Sequence, residues 1–532
     1  MNTSFLKYTV IVLFSLSACT KLDVGIESEL TPENFPTTPE SFVAATGPIY
    51  TQFRSLYAVD YWRLQELSTD AAIIPSRGGN YDDGGRFRFL HKHTWNPDHP
   101  IVKAVWEWGF GGINTCNRII NLFEQSPESD TKATTLAEVQ TMKALYYFLM
   151  MDLFGNVPII KGFGETEAPA TAPRKEVFAY IEEELKAALP NLSTTVGQLT
   201  YGRPTKYVAY ALLQKLYLNA EYYIGTPRYT ESVEMGDFIL NEVGSVFSLE
   251  PDYSKLFATD NGPQIKETIL AVPYDANVAE GNHFSRYGLH TAIQEKYELP
   301  FRPSIAMSTI ADYYKIFNLE GDKRNDTWLA GKQYNFDGSP IIIKTTKKGL
   351  DETYSGSDPG AAVNYQLDFT PEMPLRVVAT MDVGNDELGQ ARGVRSIKYY
   401  PDKNANPSTR YQNNDLIVFR LADIYLMKAE AILRGAAITS IKGESQTPVV
   451  LVNKIRERAN APLVATVNLD QLLDERAREL AWEAWRRNDL IRFGKFEDSW
   501  GYKTDNNTNM RLFPVPTSEI ALNPKLVQNN GY

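Results

Sequence analysis

Residues 143–160 read KALYYFLMMDLFGNVPII. Apolar side chains fill nearly every position up to Phe154, and Gly155, Asn156 and Pro158 then stop the pattern. Glycine suits the left-handed residue that follows a helix, and proline blocks its continuation. The run predicts a helix over 136–154 that is apolar on too many sides to stand alone and must be enclosed by others. Further helices are predicted over 101–123, 175–189 and 205–224, the last two stopped by Pro190 and Gly225. Gly109, Gly111 and Gly112 mark a kink or a close helix contact in the first of these. C-terminal helices follow over 419–434, 449–459 and 469–493, the last with Leu473, Ala477, Leu480 and Ala484 on one apolar face before Gly494. Between 244 and 414 the pattern dissolves into loops rich in Gly, Pro and Asp, with short strands such as Ile341-Ile342-Ile343 and one helix near 305–317. The predicted fold class is mainly α: tetratricopeptide-like helix pairs, without a clean repeat of roughly 34 residues, packed against an irregular, ligand-facing region.

The N-terminus carries an address. Lys7 is followed by an apolar run, residues 8–16, too short to span a bilayer. Leu16-Ser17-Ala18-Cys19 then has the form of a lipobox, in which the cysteine is acylated after cleavage. The expected organisation is a signal peptide at 1–18, a lipidated tether at 19–41 and one domain at 42–532. That domain divides into a helical part (42–243), an irregular part (244–414) and a second helical part with the tail (415–532). Acylation of Cys19 leaves Cys116 as the single free thiol, and no later stretch approaches the ~20 apolar residues a spanning helix needs.

With 65 acidic against 54 basic side chains the net charge is −11. Such a chain lacks the phosphate-neutralising surface that dominates nucleic-acid affinity, so nucleic acid is excluded as a partner. Most of the 30 Tyr, 25 Phe and 8 Trp side chains read as packing helix interfaces, while the excess of tyrosine suits a surface that stacks on flat, polar-edged ligands. Glu475, Glu479 and Glu483 recur every four residues and share a helix face. They read as an ion-pair row, with Arg478, Arg486 and Arg487 nearby, and not as the acid–base pair of a glycosidase. Glu182, Glu183 and Glu184 read as a solvated helix face. His91, His93 and His99 have no third ligand at a metal-binding spacing. Neither a nucleophile elbow nor a phosphate loop is present, and the chain is expected not to be an enzyme.

Several blocks together resemble the SusD/RagB family, the lipoproteins of Bacteroidetes polysaccharide-utilisation systems. They are residues 143–160; 202–225, GRPTKYVAYALLQKLYLNAEYYIG; 419–434, FRLADIYLMKAEAILR; 452–462, VNKIRERANAP; 475–494, ERARELAWEAWRRNDLIRFG; and the C-terminal FPVPTSEIALNPKLVQNNGY of 513–532. Asn530 departs from the proline more frequent there, but Asn-Gly also favours a turn. The resemblance implies a helical SusD-like fold and a lipid-anchored position on the outer membrane at the cell surface. It also implies an oligosaccharide ligand and a SusC-like TonB-dependent transporter over which the protein acts as a lid. A peptide-binding receptor of the same fold and a surface endo-glycosidase are the alternatives.

Sugar recognition needs a flat ring for the apolar C–H face and carboxylate, amide or guanidinium groups for the hydroxyls. Trp106, Trp108, Trp482 and Trp485 fall in helical patterns and read as core, whereas Trp62, Trp95 and Trp328 fall in or near irregular segments. The expected glycan site joins Asp70, Arg77, Tyr81, Trp95 and Asn96 to Trp328, with the two tryptophans as a shared platform. No cofactor is expected; calcium in the Asp- and Asn-rich loops stays open.

Overall fold

The computed structural model describes residues 38–345 and 363–532. Cys19, the signal segment and most of the tether lie outside the described residues. Thr38 accepts from Ser41 N–H and caps a helix, Pro39–Ala45, so regular structure begins inside the range read as tether.

The centre of the molecule is the helix Asp130–Phe154, in which every residue from Thr141 to Phe154 is buried. It packs between the helices Pro100–Glu124 and Arg174–Ala188. The Pro100–Glu124 helix approaches closely because it presents glycine: a Cβ on Gly109 would lie 2.1 Å from Met150 Sδ, and one on Gly112 2.2 Å from Tyr146 Cζ. These glycines therefore make a close helix contact in an unbroken helix. Inside the core, Asp152 ties three elements together by accepting from Tyr223 Oη (2.7 Å), Asn488 Nδ2 (2.8 Å) and Gln65 Nε2 (3.3 Å). The helices Lys206–Leu218, Tyr229–Leu240, Leu421–Leu433 and Pro448–Arg458 then pack one on the next.

Several predicted elements differ in detail. The helix over 205–224 is interrupted at Asn219, whose Nδ2 bonds Lys215 O at 2.8 Å. Tyr229–Leu240 and Gly47–Leu56 are helices that periodicity did not mark. Phe419 and Arg420 end a strand, Leu416–Arg420, paired antiparallel with Thr268–Val272. The helix expected over 305–317 shrinks to one turn, Ala311–Tyr314, because Ile305 has positive φ and Ser308 and Thr309 bridge to Ile73 and Val394. The rest of 244–414 is irregular, as expected, with two-stranded pairs such as Trp328–Leu329 with Arg395–Ser396 and Ile342–Thr345 with Val363–Gln366.

The helix over 469–493 breaks in two, Leu469–Leu480 and Arg486–Arg492, with Trp482 and Ala484 at φ +60° and +64° between them. Freed carbonyls at the break find donors from distant segments. Glu479 O accepts from Arg420 Nη2 (2.7 Å), Tyr253 Oη (2.7 Å) and Lys398 Nζ (3.1 Å). Trp62 Nε1 donates to Trp482 O (3.0 Å). Cations at a helix C-terminus also complement its dipole.

Around that break the glutamate row forms a buried ion-pair network, and most of its partners are not the sequence neighbours. Glu475 meets Arg324 (2.8 Å), Arg456 (2.8 Å) and Arg478 (3.0 Å). Glu479 meets Arg420 (2.6 Å), Arg324 (3.0 Å) and Arg458. Glu483 meets Arg420 (2.8 Å) and Lys398 (2.5 Å). Arg486 instead pairs with Asp70, and Arg487 donates to Arg511 O. Burial alone would raise the Glu479 carboxyl; Arg458, Arg420 and Arg324 outweigh it and hold it below the usual carboxylate range. The other glutamate run is also engaged, with Glu182 on Lys186 and Arg228 and Glu184 on Lys143.

Breaking a buried pair strands a charge, whereas replacing a whole pair by apolar groups does not. Arg420→Met should therefore lower stability by ~3–5 kcal/mol, read as a drop in the urea midpoint. Adding Glu483→Gln should recover part of that loss.

Candidate functional site

The segment from Ser76 to Gly85 is a tight loop held from below. Arg77 and Asn80 exchange backbone hydrogen bonds (2.9 and 3.2 Å) around Gly78 and Gly79, both with positive φ. Asp382 fixes this turn by accepting from Gly78 N–H (2.9 Å), Gly79 N–H (3.0 Å), Gly384 N–H (2.6 Å) and Ser76 Oγ (3.2 Å). Burial would raise its carboxyl, but those donors win and hold it below the usual range. Tyr81 and Asp83 also take positive φ, +63° and +42°, which is costly for residues with a side chain. That backbone turns Tyr81 toward the opposite wall, where its hydroxyl donates to Ser304 O.

The opposite wall is the short helix Phe284–Gly288 with the segment 302–307. Ser304 N–H bonds Arg286 O (2.7 Å) and Met307 N–H bonds Tyr287 O (2.8 Å), so the two segments of this wall are fixed to each other. Between the walls lies a cleft of 390 Å³, lined by Asn80, Tyr81, Asp83, Arg86, Phe87, Arg286, Tyr287 and Ser304, among others. Guanidinium groups and rings alternate around it. Arg63 Cζ is 5.4 Å from both the Phe87 and Tyr287 ring centres, Arg286 Cζ is 4.9 Å from Tyr287, and Arg86 Cζ is 4.8 Å from Phe87. The volume falls within the ~300–1,000 Å³ usual for small-ligand sites.

Of the six residues expected at the site, only Tyr81 lines this cleft. Trp95 is 3% exposed, donates Nε1–H to Tyr532 Oη (2.6 Å) and packs on Phe513 and His93. Trp328 is 6% exposed and sits edge-on to Phe317 and Trp482. The two rings serve different parts of the core and share no platform, which corrects the expected site. Loop-rich sequence around a tryptophan did not imply exposure, because the C-terminal tail and the helix break cover these rings. Trp62 is likewise buried, in the helix Trp62–Glu66. Trp106, Trp108, Trp482 and Trp485 are core residues, as expected. Asp70 is a bidentate partner of Arg486 (2.7 and 2.6 Å). Arg77 is buried and clasps Gly389 O (2.8 Å) and Arg392 O (3.2 Å). Asn96 is exposed and accepts from Asp98 N–H (3.0 Å), shaping the entry to a helix. Conversely, the sequence reading missed Arg63, Phe87, Arg286, Tyr287 and Ser304. The dense aromatic–arginine run RFRF at 86–89 was the available signal for one wall.

Among the described residues no group of His, Cys, Asp or Glu is placed to hold a metal. His91 accepts from Tyr502 N–H (3.1 Å), His93 Nε2 lies 2.9 Å from Ser68 O, and His99 caps the Pro100–Glu124 helix. A second aromatic surface stands apart from the cleft. Phe336 is 71% exposed on a turn, met edge-on by Tyr297 at 5.6 Å, with Lys296 Nζ 5.1 Å from its ring centre.

Residues 241–532 match the sequence profile described as the SusD family. The chain belongs to that family. Residues 49–218 match a second profile, described as starch-binding and associating with the outer membrane. The starch-binding protein SusD of Bacteroides thetaiotaomicron is 28% identical over 474 residues, covering 82% of this chain and 80% of that one. A laminarin-binding SusD-like protein superposes with TM-score 0.70 at 21% identity, covering 93% of this chain and 99% of that one. Surface glycan-binding protein A from Bacteroides thetaiotaomicron, solved with laminarihexaose, superposes with TM-score 0.67 at 19% identity, covering 92% and 99%. The SusD-like fold read from the sequence is thus the fold of this chain.

The core placement of the two tryptophans has a direct check. Trp95→Ala and Trp328→Ala should each cost ~3–5 kcal/mol of stability, seen in chemical denaturation, with ligand affinity of the folded fraction unchanged.

Proposed function

We propose that the chain is a cell-surface glycan-binding lipoprotein whose cleft at Tyr81 and Tyr287 holds an oligosaccharide. In this reading Cys19 carries the lipid on the outer membrane, and a SusC-like TonB-dependent transporter takes up the bound glycan. The observation that carries it is the cleft itself: three rings, Tyr81, Phe87 and Tyr287, meet amide, carboxylate and guanidinium groups from Asn80, Asp83, Arg86 and Arg286. Rings cover the apolar faces of sugars, and the polar groups serve hydroxyls. Relatives named as binding starch and laminarin support the reading.

Binding without hydrolysis fits the same residues. Asp83 is the one carboxylate lining the cleft among the described residues, and it is paired with Arg86 at 2.8 Å. Glycoside hydrolysis ordinarily uses two carboxyl groups ~5–9.5 Å apart. One stacked sugar face is worth roughly 1.5–2.5 kcal/mol at ~25 cal/mol/Å², against about 8 kcal/mol for micromolar affinity. Several rings must therefore act together, or the transporter must retain a weakly held ligand.

Calorimetry with a panel of oligosaccharides, set beside peptide mixtures, tests the site. Tyr81→Ala or Tyr287→Ala should remove ~1–3 kcal/mol of glycan affinity, by analogy with base stacking on aromatic rings, while the melting temperature moves little. Unchanged affinity in both variants would move the site elsewhere, and binding of peptides alone would overturn the function. For anchor and partner, tagged protein from native membranes should bring down a large β-barrel, and Cys19→Ala should move the protein to the soluble fraction. A variant that stays on the membrane, or repeated recovery of the lipoprotein alone, would count against each in turn.

A further inference from the structure

In the interior of this protein most buried arginines find carboxylates. Arg324, Arg420, Arg458 and Arg476 do so, and Arg77 and Arg395 take backbone carbonyls instead. Arg286, half-buried in the wall of the cleft, has neither. Its Nε is buried without a hydrogen-bond partner, and its guanidinium forms no ion pair among the described residues. An unpartnered Nε is shared with Arg77, Arg395 and Arg458; what sets Arg286 apart is that its whole guanidinium has no carboxylate or carbonyl among the described residues and is left to take an acceptor from a ligand.

The rest of the cleft has the same sign. Arg63 and Arg86 each have one aspartate, Asp60 and Asp83, both at 2.8 Å. Asp82, the remaining acid of the loop, faces Arg88 at 3.6 Å. Arg410 adds a further cation at the rim: its Nη1 reaches Ser304 Oγ at 3.5 Å, it pairs with no carboxylate among the described residues, and its backbone sits at φ +66°. Arg86 and Arg286 in the lining, with Arg63 against the Phe87 and Tyr287 rings and Arg410 beside Ser304, thus stand against two engaged aspartates, on a chain whose net charge is −11. The buried His283, whose ring lies 4.7 Å from that of Tyr287, reports the same field: burial first, then Arg63 and Arg286, push its imidazole well below the usual histidine range. Such a recess can serve a neutral sugar's hydroxyls, but an anionic group gains the additional charge-assisted contact.

We infer that the cleft selects an acidic glycan, with Arg286 and Arg410 receiving a sugar carboxylate or sulfate ester while Tyr81 and Tyr287 cover the ring faces. Guanidinium suits both anions, since its planar fork matches two oxygens at once. The inference rests on the glycan-binding reading above and adds the charge of the ligand.

The test is calorimetry on the intact protein with three hexasaccharides: an oligogalacturonate, a sulfated galactan fragment and neutral laminarihexaose. At least one acidic probe should bind about 10-fold or more tighter than the neutral one, and its affinity should fall as salt rises from 0.05 to 0.5 M, as expected for screened charges. Arg286→Gln should remove about 10-fold for the acidic probe and change the neutral one by less than about 3-fold, in keeping with a charge-assisted contact. Arg410→Gln should act in the same direction, so the result does not depend on one variant folding. The two acidic probes distinguish carboxylate from sulfate. Preference for the neutral hexasaccharide, still lost in Tyr287→Ala, overturns the acidic ligand and leaves glycan binding standing. Binding of none of the three overturns the acidic ligand, and binding of no starch oligosaccharide either, run in the same series, overturns both.

Discussion

Glu475, Glu479 and Glu483 place three carboxylates in the interior, where unpaired charge is very costly. Each is met by side chains that arrive from elsewhere in the chain: Arg324 and Lys398 from the irregular middle region, Arg420 from the end of a strand, and Arg456 and Arg458 from the preceding helix. The network rewards only one arrangement of these segments, because a shift of any one leaves a buried charge without its partner. It also explains the broken helix. The carbonyls released at Ala481 and Trp482 are taken by Lys398 (2.7 Å) and Trp62 (3.0 Å), so the break adds anchoring points between helices and loops.

The cleft inherits its geometry from that anchoring. Lys398 stands next to the short strand Arg395–Ser396, and Arg395 donates to Met307 O (2.7 Å). Met307 in turn bonds the backbone of Tyr287, which forms one wall of the cleft. On the other wall, Arg77 and Asp382 clamp the glycine turn that sets Tyr81 at positive φ. Strain in the loop is therefore borne by buried polar contacts, and the rings are in position before any ligand arrives. A preformed site loses less ordering entropy on binding.

Helices were legible from the sequence wherever the local pattern and the stop signals agreed, as at Gly155 and Pro158. At Gly109 and Gly112 the sequence left a kink or a close helix contact open, and packing on Met150 and Tyr146 decides for the contact. Tertiary contacts decided the rest. Periodicity through 469–493 continues across the break, because Trp482 and Trp485 are apolar in either conformation and the reason to bend lies in Lys398 and Trp62, far away in sequence. Little of the site was readable. Tyr81 is the expected residue that does reach a wall, whereas Arg63, Tyr287 and Ser304 come from segments with no distinguishing local composition. Trp95 and Trp328 misled because loop-like sequence is a weak guide to exposure when a C-terminal tail folds back: Tyr532 ends the chain against Trp95.

In the proposed function, loops positioned by a buried ion-pair network hold an oligosaccharide in the cleft between Tyr81 and Tyr287. A crystal structure of the protein with a bound oligosaccharide tests it most directly. A sugar ring is expected against Tyr287, with polar contacts to Arg286 and the 79–83 turn and little movement of either wall. Ordered sugar seated on Phe336 and Tyr297, with the cleft empty, would contradict it.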